Sequence, residues 1–234
     1  MRSHVLTLDT PLPPKELVLK SSKTKLQLID IICDSLLHHS TTKRCSNPLF
    51  VTGQSDVPSS TCKGVRQTRE DMRTTHEEAD VIIPQQVDYA LHEGYKNIRV
   101  LCDDTDVFVL LVYYHHIRKW QNDVLLLSLD STNNKPISIR LTAEKHKSLV
   151  SSLPAVHALS GCDTVPSMCG IGKTGAIKVV KENVHLLSLG NLTSPISEVV
   201  SEAKSFVSRC YGFKDCEDMS EMRFQILFHF FLKL

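Results

Sequence analysis

Apolar residues recur at helical spacing between Lys25 and His39, where Leu26, Ile29, Ile32, Leu36 and Leu37 predict an amphipathic helix. Ahead of it, residues 1–24 carry Pro11, Pro13 and Pro14 with little periodicity and read as an irregular segment. Leu49-Phe50-Val51-Thr52 predicts a short strand closed by Gly53, and the polar stretch from Gly53 to Arg69 a loop or hairpin. A second helix is expected behind a capping box, with Thr75 as N-cap and Glu78 at its third position. It carries Ala79, Ile82, Ile83, Val87, Ala90 and Leu91 on one side and ends at Gly94. Pro84 inside it removes the bond to the Asp80 carbonyl and predicts a kink. Asn97 to Cys102 has the apolar run of a buried, parallel-type strand. Asp123 to Leu129 predicts another strand, Lys135 to Leu141 a third, and Thr142 to Val150 a short helix. Two further helices are expected from Ser194 to Cys210 and from Ser220 to Leu234, the last notably apolar. The alternation of strands and helices points to an α/β fold.

At 234 residues the chain can bury a sizeable core, as one large domain or one and a half. With 27 basic and 26 acidic residues its net charge is +1, so no global basic field draws it to nucleic acid, and such binding must rest on local patches. Eight cysteines include no C-x-x-C pair and follow no secretory signal; reduced thiols in an intracellular protein are expected, rather than a zinc ribbon. No apolar run reaches the roughly 18 residues a membrane span needs, so no membrane partner is expected.

Charge changes this picture locally. Acidic residues gather at Glu77-Glu78-Ala79-Asp80 and again at Asp103-Asp104-Thr105-Asp106, directly after the apolar strand. A third acid, Asp163, follows Gly161-Cys162. In open α/β sheets ligands sit beyond the carboxyl ends of strands, where the second knot falls. Its three acids repel one another unless a cation or solvent relieves them, and a hard divalent metal with oxygen ligands does so. An EF-hand is a weaker reading, because its glycine and closing glutamate are missing. The same residues also suit plain structural roles: Glu78 as a cap, Glu77 and Asp80 at the positive end of a helix, Asp106 capping the next one. His115, His116 and Trp120 have no ligand-like arrangement and read as surface or packing residues. Lys63, Arg66, Arg69 and Arg73 make one stretch basic, which is either a solvated face or a hold on phosphates.

Gly170-Ile171-Gly172-Lys173-Thr174 ends like a P-loop, but Ser167 stands where the first glycine belongs and Pro166 interrupts the approach. A helix–hairpin–helix fits better. There Gly170, Gly172 and the amides at the following helix start meet a phosphodiester, with Lys173, Thr174 and Lys178 nearby.

The order of these motifs resembles the internal half of flap-endonuclease/XPG-type nucleases of the PIN-like superfamily. Glu78-Ala79-Asp80 is similar to that family's Glu-Ala-Glu, Asp104-Thr105-Asp106 to its Asp-x-Asp, and Gly161-Cys162-Asp163 to its Gly-Cys-Asp. Gly170-Ile171-Gly172-Lys173 with Ala176 resembles its DNA-binding hairpin. The phrases around these acids are also similar to a set of uncharacterised animal proteins associated with mobile elements. The match covers roughly residues 48–185. Thr164 stands where an aromatic usually follows, and the family's N-terminal metal-binding aspartates have no counterpart beyond Asp9, Asp30 and Asp56, none in a matching context.

The resemblance implies a PIN-like three-layer fold with a mainly parallel central sheet, a helix–hairpin–helix and C-terminal helices. Residues 25–160 would form the α/β core, truncated on its N-terminal side, and residues 161–234 the hairpin and helical region. It further implies Glu78, Asp80, Asp104, Asp106 and Asp163 as catalytic residues. These, with Glu77 and Asp103, would hold two magnesium or manganese ions about 4 Å apart, one making hydroxide and the other steadying the leaving 3′ oxygen. The expected function is structure-specific hydrolysis of DNA, gripped by its phosphate backbone, in an intracellular and foremost nuclear setting. The competing expectations are a catalytically silent nucleic-acid-binding or scaffold module with the same fold, and a phosphohydrolase acting on small esters. Convergence of Asp80, Asp104 and Asp163 is what both enzyme readings require.

Overall fold

The computed structural model describes residues 6–11, 14–53, 55–75, 78–129, 135–182, 186–213 and 218–231. It is a mixed α/β structure whose chain divides into two compact units, Met1–Ile82 and Ile83–Leu234. Among the described residues no helix is long and apolar enough to cross a membrane.

The first unit opens with a short helix α1 (Lys15–Lys20) and the long α2 (Ser22–Thr42). Helical structure thus begins earlier than the proline-marked segment suggests, because Ser21 caps α2 by accepting a bond from the Thr24 amide at 3.3 Å. Three short strands follow, β1 (Leu49–Val51), β2 (Ser59–Cys62) and β3 (Val65–Thr68), paired antiparallel in that order. The predicted hairpin is β2–β3, turned by Lys63 and Gly64, both at positive φ as a type I′ turn demands. At 1.5 Å per residue α2 is about 31 Å long, while strands of this length span about 13 Å. The sheet therefore covers only part of the helix. Leu37 is buried and Ser40 meets the Thr61 hydroxyl at 2.7 Å, whereas Leu26, Ile29, Ile32 and Leu36 stay at least 41% exposed. The basic stretch is largely neutralised within the unit. Arg66 faces Asp34 at 3.3 Å, Arg69 faces Asp71 at 2.5 Å, and Arg73 faces Glu70 at 2.7 Å.

Helix α3 (Ala79–His92) starts four residues after Thr75. Glu78 accordingly precedes the helix rather than occupying its third position, and its carbonyl receives the Val81 and Ile82 amides. Pro84 is buried in a helix that runs on through it. Gly94, at φ 87°, closes it as expected, with Tyr95 N–H reaching back to the Ala90 carbonyl.

In the second unit β4 (Ile98–Leu101) runs parallel to β5 (Val124–Leu127), and β6 (Ile137–Ser138) adds antiparallel to β5. One of the two pairings is thus parallel. α4 (Thr105–Arg118) makes the crossover between β4 and β5. Only one face of β4 is covered: Val100 is buried, but Leu101 is 62% exposed. The third strand is shorter than its sequence suggests. Ser138 caps a helix by receiving the Leu141 amide, and Asp123 holds both the Ser138 hydroxyl at 2.6 Å and the Arg140 amide at 3.0 Å. These contacts start α5 (Ile139–Lys145) where alternation predicts more strand. The core here comprises Val100, Val107, Leu111, Val112, Trp120, Val124, Leu126 and Ile139 among others.

The rest of the unit is helical: α6 (Lys147–Val150), α7 (Leu153–Leu159), α8 (Lys173–Lys181), α9 (Ile196–Cys210) and α10 (Met219–Phe231). A second core joins Leu149, Val156, Ala176, Val180 and Leu186 around Phe206, which is fully buried. Emptying that position in Phe206→Ala is expected to cost about 3–5 kcal/mol in urea unfolding.

His115 and Trp120 pack edge to face at 6.0 Å, and the indole N–H donates to Asp88 at 2.7 Å. His115 is buried, with Nε2 lacking a partner among the described residues, and burial pushes its pKa below the usual imidazole range, ahead of the opposing pull of Asp123 and Glu144. Arg140 and His116 add to the lowering. The fold accepts the neutral ring, so below about pH 6.5 the unfolded chain binds the extra proton. Stability should fall as pH drops from that value toward the lower folded pKa, and His115→Phe should flatten the fall in melts between pH 7 and 5.

Candidate functional site

The strand β4 delivers the second acidic knot to the end of the sheet. Cys102 N–H still bonds to the Leu127 carbonyl at 3.0 Å, and beyond it both Asp103 carboxylate oxygens accept the Leu129 amide. Asp103 thereby ties together the chain leaving β4 and the chain leaving β5. Asp104 is the N-cap of α4, its Oδ1 taking the Asp106 amide at 2.8 Å. The capping role expected of Asp106 belongs to Asp104. All three acids suit the positive end of α4. Asp106 turns away from them, and its Oδ1 lies 2.7 Å from Nε2 of His157 on α7, with only 28% and 12% of the two side chains exposed.

His157 connects this knot to the other motifs. α7 ends at Leu159, and the chain turns sharply at Gly161, whose φ is 108°. A Cβ there would stand 2.5 Å from the Ser167 backbone, so only glycine fits. Cys162 and Val165 then exchange backbone hydrogen bonds at 3.0 and 3.1 Å, leaving Asp163 and Thr164 at the exposed tip of a tight turn. Asp163 has no side-chain hydrogen bond or ion pair among the described residues. Hydrogen bonding by Thr164 holds the Cys162 thiol below its ordinary pKa.

Lys173, the first residue of α8, reaches back and donates Nζ to the His157 carbonyl at 2.7 Å and to the Gly161 carbonyl. Two of its three donors are therefore engaged inside the protein. Burial lowers its pKa, while Cys162 and Asp106 pull the other way. From the far side Tyr211 donates to the Cys169 carbonyl at 3.1 Å. Between these anchors the glycine turn stays open. Gly170 lies at φ 72°, and among the described residues no side chain caps α8 and a Cβ on Gly170 or Gly172 would meet nothing within 4 Å. Thr174 and Lys178 are exposed on the first turns of the same helix.

The structure thus brings Asp106, His157, Cys162 and Lys173 into one neighbourhood. Asp103 and Asp104 are committed to the backbone amides of Leu129 and Asp106, and Asp163 stands on an exposed tip. Glu78, exposed, and Asp80, half-buried, belong to the first unit; Glu77 lies outside the described residues. Among the described residues no three His, Cys, Asp or Glu side chains group closely enough to hold a metal ion. The described acids do not by themselves build the expected two-ion centre. His157 gives little sign of itself in the sequence; its one signal is a polar side chain interrupting the apolar stretch from Leu153 to Leu159.

Comparison with protein-family models, with curated proteins and with solved structures finds no match.

Replacing Lys173 by methionine removes the ammonium donor from the Gly161 carbonyl and from the His157 carbonyl, which keeps only the Ser160 hydroxyl at 3.3 Å. A loss of about 1–3 kcal/mol is expected in urea unfolding.

Proposed function

We propose that this chain is a PIN-like module of the flap-endonuclease type that binds the phosphate backbone of nucleic acid, DNA foremost, through the glycine turn at the start of α8. The observation that carries this reading is the open turn itself. Gly170 and Gly172 leave the uncapped helix terminus unobstructed, and the segment is anchored by Lys173 on one side and Tyr211 on the other. Free N–H groups and the helix dipole there favour an anion, and Thr174 and Lys178 add a hydroxyl and a charge beside it. With net charge near zero, the grip must be local, which a preformed turn provides.

Metal-dependent phosphodiester hydrolysis is the second reading, favoured by one contact. Asp106 from the Asp-x-Asp motif meets His157, only a few residues before Gly161-Cys162-Asp163, although 51 positions separate the pair in sequence. Magnesium or manganese would supply the nucleophile and offset charge on the leaving oxygen. Asp104, Asp106 and Asp163 are the residues of this unit offered for the task.

Flap, hairpin and single-stranded DNA, each tested in EDTA and then with magnesium or manganese, separate the readings. Binding in EDTA should weaken in Gly172→Val, which fills the open approach, and its salt dependence should drop by about 0.9 in log–log slope for each phosphate no longer held. Undiminished binding by that variant defeats the first reading. Cleavage that needs the metal and disappears in Asp104→Ala establishes the second. Activity confined to small phosphate esters would rule out both in favour of a phosphohydrolase.

A further inference from the structure

We infer that a cavity between α4, the start of α7 and the loop after α8 takes a single unstacked nucleobase, an inference that rests on the nucleic-acid reading above. The cavity measures about 370 Å³, near the lower end of the range for ligand pockets, so it suits one ring system and its sugar. Tyr113 and Tyr114 line it from α4, Leu187 and Leu189 from the loop, and Ser151 and Asn191 supply polar groups at its edge. None of its lining residues carries a charge, which selects the neutral part of a nucleotide rather than its phosphate.

The aromatic geometry suits a planar guest. The two phenol rings stand 5.9 Å apart at 74°, so a ring placed against one face meets the edge of the other. Leu187 remains 55% exposed at the mouth, apolar surface available to a base. Asn191 provides a means of recognition. Its Oδ1 is occupied by the Thr193 amide at 3.0 Å and the Thr193 hydroxyl at 2.7 Å, while its N–H groups make no hydrogen bond among the described residues and remain as donors for a base carbonyl or ring nitrogen.

The pocket is built in advance. Ser188 gives both its amide and its hydroxyl to the Glu202 carboxylate at 2.9 and 3.0 Å, and the Leu186 amide bonds to the buried Ser152 hydroxyl at 3.3 Å. Gly190, at φ 90°, lets the loop fold back so that the Asn191 amide reaches the Ser188 carbonyl. A stacking platform with a fixed polar edge is the arrangement by which proteins hold single-stranded bases.

The test is fluorescence anisotropy of the full chain in EDTA, using labelled oligothymidylate and an abasic oligomer of equal length. Wild type should bind oligothymidylate more tightly. Tyr113→Leu, which keeps apolar packing but removes the aromatic face, should weaken that binding by about fivefold to 150-fold, the value of one stacked base. The same variant should leave abasic binding unchanged, and Tyr113→Phe should behave as wild type. Equal affinity for the two oligomers, or an unaffected Tyr113→Leu, overturns the base pocket alone. Failure of wild type to bind either oligomer overturns the pocket and the backbone-binding reading together. Quenching of a 2-aminopurine oligomer by wild type but not by Tyr113→Leu supports the pocket independently, and equal quenching by both counts against it.

Discussion

One ammonium group organises the second unit. Nζ of Lys173 binds the carbonyls of His157 and Gly161, closing the loop between α7 and α8 onto the helix that precedes it. Without a cation at that point, the Gly161 carbonyl would lose its side-chain donor and the His157 carbonyl would keep only the Ser160 hydroxyl. The Asp106–His157 bond extends the same anchor to the start of α4. Chain segments more than 60 residues apart in sequence, from Asp106 to Lys173, are therefore held by two side chains acting through one histidine. The residue that resembles a phosphate-binding lysine holds the loop in place, and the backbone beside it at Gly170 and Gly172 stays open.

Much of the fold is legible in the sequence because most signals are local. The α2 periodicity, a hairpin within Gly53–Arg69, the Gly94 stop and the strands that become β4 and β5 all follow from spacing and composition, whereas the position of the hairpin turn at Lys63-Gly64 does not. Sequence and structure part where a distant partner decides. Asp123 starts α5 early through Ser138 and Arg140, and the helix expected from Thr75 begins at Ala79. The acidic motifs are visible as residues but not as directions. Side-chain rotamers determine whether a carboxylate caps its own helix, as Asp104 does, or reaches another element, as Asp106 does. His157 could not be found by pattern, since its importance lies in a contact across 51 residues.

The acids and the glycine turn also differ in what they ask of their surroundings. A metal centre needs several carboxylates turned toward one point against their mutual repulsion. A phosphate seat needs only amides left open. Among the described acids, Asp103 and Asp104 are taken up by backbone amides and Asp106 by His157, while the backbone at Gly170 and Gly172 stays open.

α4 carries the acidic knot at its start and the tyrosine pair near its end, so one rod sets the interval between two sets of groups. Tyr113 follows Thr105 by eight residues, about 12 Å along the axis. That interval can change only in whole residues, and each added residue would swing the phenols about 100° around the helix. Length and bearing are thus locked together, and the rod acts as a ruler that cannot be lengthened without also being turned.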